Sequence, residues 1–299
     1  RGLGDVYKRQ EMNAQRTMAR EALKNRESSW ANSEITVPAE CPETVFEGYE
    51  KQITEGEILY IIRPDGSSVS EAEVGDDIIL VTDKTTFYAE SGGQAGDKGT
   101  IETESGVVSI NSVTKTNDGK WRHIGTVIHG SVSTGEKATM TVDRQGRLAS
   151  ERNHSATHLL QKALRMVLGE HVHQAGSSVT PERLRFDFNH MQAMTKEEIR
   201  AVENIVNDAI YNGYDVTTRI LPIDEAKKLG AMALFGEKYG DTVRVVEMGD
   251  FSLEFCGGTH VKNTSSIGMF KILHESAVAA GVRRIEALTG AGARAAYMG

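Results

Sequence analysis

His154 and His158 stand four residues apart in the segment RNHSATHLLQKALRMVL, and Cys256 and His260 stand four apart in CGGTH. On a helix, side chains four apart lie on consecutive turns with Cβ atoms roughly 5 to 6 Å apart, so two imidazoles at this spacing can reach one ion. In CGGTH the two glycines permit a tight loop that presents a thiolate and an imidazole to a shared centre. Together the two pairs supply three nitrogens and one sulfur, the chemistry of a tetrahedral zinc set. Each half alone is a weaker signal. Histidines at i and i+4 also arise by chance, Cys256 taken singly is a small buried residue, and His260 taken singly caps a turn.

The same residues exclude one use of zinc. A zinc-peptidase helix carries glutamate directly after its first histidine to act as general base, and Ser155 holds that position here. With all four groups bound the site is closed and structural; with one loose, or the metal five-coordinate, a substrate or water can bind. The sequence leaves both arrangements open, and it offers no obvious general base.

The elements that must position these groups follow from hydrophobic period. Ala156, Leu159, Leu160, Ala163, Leu164, Val167 and Leu168 recur at helical spacing from Ser150 to a stop at Gly169. At about 100° per residue the apolar stripe centres near Leu160 and Val167, and both histidines point to the other side. Thr195 with Glu198 forms a capping box for a second helix ending before Gly213. Leu184, Phe186 and Phe188 alternate as a strand, and further strands are expected at Val243 to Val246, Phe251 to Phe255 and around Met269 to Leu273, with a short helix from Asp224 to Leu234.

From Val45 to Val142 the pattern is different. Short β-branched runs (Ile58 to Ile62, Ile78 to Val81, Val107 to Val113, Ile124 to Ile128) alternate with turns at Pro64-Asp65-Gly66 and Asn117-Asp118-Gly119, which predicts a small barrel or sandwich. The expected fold is therefore α+β. Residues 37–149 form a β-barrel-like subdomain, and residues 150–299 form a mixed α/β domain that carries the metal. Residues 1–10 read as a non-native remnant, and Glu11 to Arg26, within a segment 11–36, as a helical tail needing a partner to pack against.

Composition narrows the function classes. The 299 residues are 39% hydrophobic and 25% charged, a globular rather than disordered or collagen-like balance. No apolar run approaches the roughly 20 residues that cross a bilayer, and no secretory signal opens the chain, so a cytoplasmic protein without a membrane partner is expected. Two cysteines, Cys41 and Cys256, are too few for a disulfide framework. A net charge of −8 argues against indiscriminate attraction to nucleic acid. The acid excess lies in the first half, so Arg183 with Arg185, Lys227 with Lys228, or Arg283 with Arg284 stay available for local phosphate contacts, although each pair reads first as a solvated face.

HSATH at 154–158, GAMALFGEK at 230–238, CGGTH at 256–260, AAGVRRI at 279–285 and FYAESGGQ at 87–94 together resemble the editing region of alanyl-tRNA synthetases. The resemblance runs from about Glu11 to the end. Threonyl-tRNA synthetases carry a related domain, and free-standing editing proteins carry the same one. It implies a deacylase that hydrolyses the ester linking serine or glycine to alanine tRNA, with one zinc held by His154, His158, Cys256 and His260 and mischarged tRNA(Ala) as partner. It also implies that a parent enzyme would use ATP to ligate alanine in a synthetase domain absent from this chain, and that an oligomerisation region is absent as well. Editing is needed because one hydroxyl or one methyl changes binding by only about 1 to 3 kcal/mol.

Within that reading, Thr157 and Gln174 are the expected substrate-binding residues. Thr157 would bond the serine hydroxyl or a water; otherwise it is a helix-face hydroxyl. Gln174 contacts substrate or is an exposed loop glutamine. Gly92-Gly93-Gln94 invites comparison with the loops that release peptides from tRNA, but reads more safely as a glycine turn beside the site. The rivals are a zinc-stapled module that docks tRNA without hydrolysis, and a free-standing editor.

Overall fold

The computed structural model describes residues 35–233 and 239–299. The expected remnant at 1–10, the helix at Glu11 to Arg26 and the end of GAMALFGEK lie outside the described residues.

The first part is all strand: β1 (Val45–Phe46), β2 (Ile53–Ile62), β3 (Ser68–Val69), β4 (Glu71–Glu73), β5 (Asp77–Thr82), β6 (Lys84–Thr85), β7 (Gly99–Glu102), β8 (Gly106–Lys115), β9 (Trp121–Ser133) and β10 (Lys137–Val142). Antiparallel pairing runs β10-β7-β8-β9-β5-β2, and β2 pairs back onto β10, so the sheet closes on itself. Closure removes the unpaired edges that an open sheet would present to other chains. Ile58, Ile61, Ile78, Leu80, Ile101, Val108 and Val113 fill its interior. All four expected strand runs fall within β2, β5, β8 and β9.

The second part begins with α1 (Arg144–Leu168), followed by β11 (Gln174–Val179), β12 (Leu184–Asn189), α2 (Lys196–Asn212), β13 (Val216–Pro222), α3 (Ile223–Lys228), β14 (Thr242–Met248), β15 (Ser252–Phe255), a 3-10 turn at Thr264–Ile267, β16 (Phe270–Ala279), β17 (Val282–Thr289) and α4 (Gly290–Met298). One sheet has the order β11-β12-β17-β16 and another β13-β14-β15. A core of Leu159, Leu160, Leu164, Phe186, Phe188, Val202, Val206, Phe270 and Ile285 joins α1 and α2 to the first of these sheets. The capping box at Thr195 and the left-handed Gly213 bound α2 as expected.

Three expectations shift. α1 starts at Arg144, one residue after the cap Asp143, because Gln145 N–H donates to the Asp143 carboxylate. The short helix is confined to Ile223–Lys228 and gives way to a turn at Gly230. β17, which pairs with both β12 and β16, was not foreseen: its alternation is broken by Arg283, Arg284 and Glu286.

The early start of α1 ties the two parts together. Arg147, fully buried, sets its guanidinium against the Asp97 carboxylate and donates to the carbonyls of Gly48 at 2.7 Å and Thr86 at 2.9 Å. The first turns of the helix are thereby pinned to the barrel, and the turns that carry the histidines follow from a fixed origin. Among the described residues no helix is long and apolar enough to cross a membrane.

Candidate metal centre

His154 and His158 lie on consecutive turns of α1 with ring centroids 5.4 Å apart. They face away from the apolar stripe as the helical period requires, yet that side is not open: both are buried, because the loop after β15 covers it. That loop brings Cys256 Sγ to 3.4 Å from His154 Nε2 and 3.3 Å from His260 Nε2. One ligand atom from each of His154, His158, Cys256 and His260 lies within 4.8 Å of all the others. Around a tetrahedral zinc with bonds of about 2.0 to 2.3 Å, neighbouring ligand atoms stand roughly 3.3 to 3.6 Å apart, so this donor set fits such an ion.

Two of the three imidazoles have a hydrogen-bond partner on the other nitrogen. His154 Nδ1 is 2.7 Å from Gln94 Oε1, and His260 Nδ1 is 3.0 Å from Ser155 Oγ. His158 Nδ1 lies 3.0 Å from Glu254 Oε2 but is not aligned for a hydrogen bond. Burial pushes the His154 imidazolium down to about 4, helped by the positive charge of Arg244. Burial, then the neighbouring histidines, holds His158 and His260 well below the usual histidine range. The rings are thus neutral at neutral pH, the form that binds metal. Burial also pushes the Glu254 carboxyl up to about 8.

The cysteine loop is held from three sides. Arg244, on β14, donates to the carbonyls of Cys256 at 2.8 Å and Gly258 at 2.9 Å. Its guanidinium lies 4.0 Å from the centre of the Tyr49 ring, and the Tyr49 hydroxyl donates to Gly257 O at 2.5 Å. Thr259 N–H donates to Gln94 Oε1 at 3.0 Å. Tyr49 and Gln94 come from the barrel part, and neither was among the expected site residues. For Gln94 a signal existed in FYAESGGQ, where Gly92-Gly93-Gln94 read as a turn: the glycines do turn the chain, but the glutamine at their end is fully buried.

Beside the four ligands opens a cleft of about 310 Å³. Thr157 and Gln174 both line it, with Ser91 and Gly92 of the barrel part and Ser177 of β11. The Thr157 hydroxyl donates to Asn153 O at 2.8 Å, and Gln174 Nε2 donates to Ser177 Oγ at 3.1 Å. A cleft with metal-type donors and polar side chains around it can hold a polar ester and a water against one centre.

The arginine clusters are spoken for. Arg183 pairs with Glu286 at 3.1 Å, Arg283 with Glu275 at 2.5 Å, and Arg185 and Arg284 flank Asp187 at 3.7 and 2.8 Å. Lys227 and Lys228 lie exposed in the last turn of α3.

Residues 243–286 match the family described as Threonyl and Alanyl tRNA synthetase second additional domain, and residues 6–146 match tRNA synthetases class II (A). The chain is 51% identical over 290 residues to an alanine–tRNA ligase of Acetivibrio thermocellus, covering 97% of this chain and 33% of that protein. It is 51% identical over 282 residues to that of Clostridioides difficile, covering 94% and 32%, and 49% identical over 288 residues to that of Bacillus subtilis, covering 95% and 32%. The chain spans about a third of the length of these relatives.

Proposed function

Since the chain is similar to alanine–tRNA ligases along nearly all of its length, we propose that it performs their editing step, hydrolysing seryl and glycyl esters of tRNA(Ala) at a single zinc. The observation that carries this reading is the convergence of His154, His158, Cys256 and His260 on one centre at the wall of an open cleft. A metal buried only as a staple would have no need of that cleft, which favours hydrolysis over tRNA docking alone.

Zinc held there would supply Lewis-acid chemistry toward a water or the ester carbonyl oxygen, provided that it takes one more ligand than the four side chains or that one of the four stays loose. The protein's own groups do the rest. Cys256 gives its thiolate and the three histidines their neutral imidazoles, and Arg244 and Gln94 hold the loop in place. Thr157 of α1 and Gln174 of β11, both lining the cleft, are the residues that meet the aminoacyl end. Water adds to the carbonyl carbon, the bond to the ribose oxygen breaks, and that oxygen takes up a proton, leaving free serine or glycine and tRNA. In a parent enzyme with a synthetase domain, alanine would be joined to tRNA(Ala) with ATP elsewhere, in the cytoplasm.

The test mixes the purified chain with seryl-tRNA(Ala) and counts released serine, beside Cys256→Ala. Release by the chain and its loss in the variant are expected. A variant that hydrolyses fully without zinc overturns the metal's role, and an intact chain that binds tRNA but releases nothing makes it a docking module.

A further inference from the structure

The backbone decides which way round the Gln94 amide sits. Thr259 N–H donates to one terminal atom of Gln94 at 3.0 Å, and the other donates to Thr259 Oγ1 at 2.8 Å. Turned over, the amide would set an NH2 group against a backbone N–H, so the atom facing Thr259 N is oxygen. That oxygen also lies 2.7 Å from His154 Nδ1. An amide oxygen only accepts, so Nδ1 carries the ring proton and Nε2, 3.4 Å from Cys256 Sγ, keeps its lone pair.

The other two imidazoles have no such director. Ser155 Oγ, near His260 Nδ1, is a hydroxyl able to donate or accept, and Glu254 is misaligned with His158. Gln94 is itself fixed: it is fully buried, and the chain on either side is tied to β11 by Val179 N–H donating to Gly93 O at 2.7 Å and Ala95 N–H donating to Val179 O at 2.9 Å.

We propose that Gln94 is a positioning residue for the metal: through one amide oxygen the barrel part sets the tautomer and ring angle of His154, so that metal capture by the second part depends on the barrel docked against it. This rests on the metal reading given above. A partner on the far nitrogen of a ligating histidine is worth about 10- to 100-fold in metal affinity.

Cobalt(II) is the probe, because its absorption bands report ligand identity and geometry. Gln94→Leu keeps the volume and removes the acceptor; Gln94→Glu keeps an oxygen facing both donors. Expected are a cobalt Kd raised about 10- to 100-fold in Q94L, with shifted bands, and a Kd within about fivefold of the parent in Q94E. Q94L binding like the parent, or Q94E binding as poorly as Q94L, overturns the role of Gln94. A parent chain that takes up no cobalt overturns the metal reading itself, a distinguishable result. Should Q94L fail to fold, nitrogen-15 NMR of the metal-free parent decides: His154 protonated on Nδ1 is expected, and protonation on Nε2 overturns the proposal.

Discussion

The backbone of Gly258 lies against the His154 ring so closely that a Cβ at position 258 would stand 2.0 Å from Cε1 and 2.3 Å from Nδ1. The neighbouring Gly257 has open space at the same point. Both glycines of CGGTH border the cleft, but only Gly258 must lack a side chain to admit the imidazole to the centre.

Gly258→Ala should displace His154 and lower zinc affinity by tenfold or more, on the order of the loss from disturbing a ligating histidine's surroundings. Gly257→Ala should bind zinc as the parent does. Zinc titration against a chromogenic chelator checks both, and equal affinities in the two variants would show that the close approach is relieved by movement of the loop.

Metal removal should destabilise the chain. At free zinc a thousandfold above Kd, binding adds about 4 kcal/mol to the folded state. A chelator should therefore lower Tm by roughly 6 °C for a protein of this size. Cys256→Ala should show little of that shift. An unchanged melting curve on chelation would contradict a shared ion.

Arg147 and Asp97 form a buried pair between α1 and the barrel. Removing one member leaves the other charge buried alone, so Arg147→Ala should cost about 3 to 5 kcal/mol in urea unfolding. The double variant Arg147→Met with Asp97→Leu should recover much of that loss. A single variant with parental stability would mean water reaches Asp97.

His123 sets a pH dependence inside the barrel. Its Nδ1 donates to Leu80 O at 2.9 Å, its Nε2 lies 2.7 Å from Thr85 Oγ1, and burial pushes its imidazolium down to about 4. The folded state therefore binds the proton less readily than the unfolded chain does. Its contribution is fully present above the ordinary histidine value of about 6.5, is lost as pH falls toward 4, and amounts to at most about 3 kcal/mol. Urea unfolding at pH 7.5, 5.5 and 4.5 should show a steeper acid loss for the parent than for His123→Gln; parallel curves would sink the assignment.

Local signals carried far. The capping box at Thr195, the alternation Leu184-Phe186-Phe188 and the barrel strands were legible because each depends on neighbours within a few residues. β17 was not, since Arg283, Arg284 and Glu286 interrupt its apolar alternation and find their partners on other strands or at a distance. The same blindness made the arginine clusters look available for phosphate when acids from other parts of the chain already face them.

Residue type and spacing determined by themselves that two histidines share one side of a helix and that a cysteine and a histidine flank a glycine loop. Only the folded chain decided that these pairs meet, 102 residues apart between His154 and Cys256, and that their far side is closed by Gln94 and Tyr49 of another part of the molecule. Periodicity describes the geometry of one element, whereas a donor set shared between elements depends on how their faces pack, and that is fixed by Arg147, Arg244 and the buried amide of Gln94 acting across the fold.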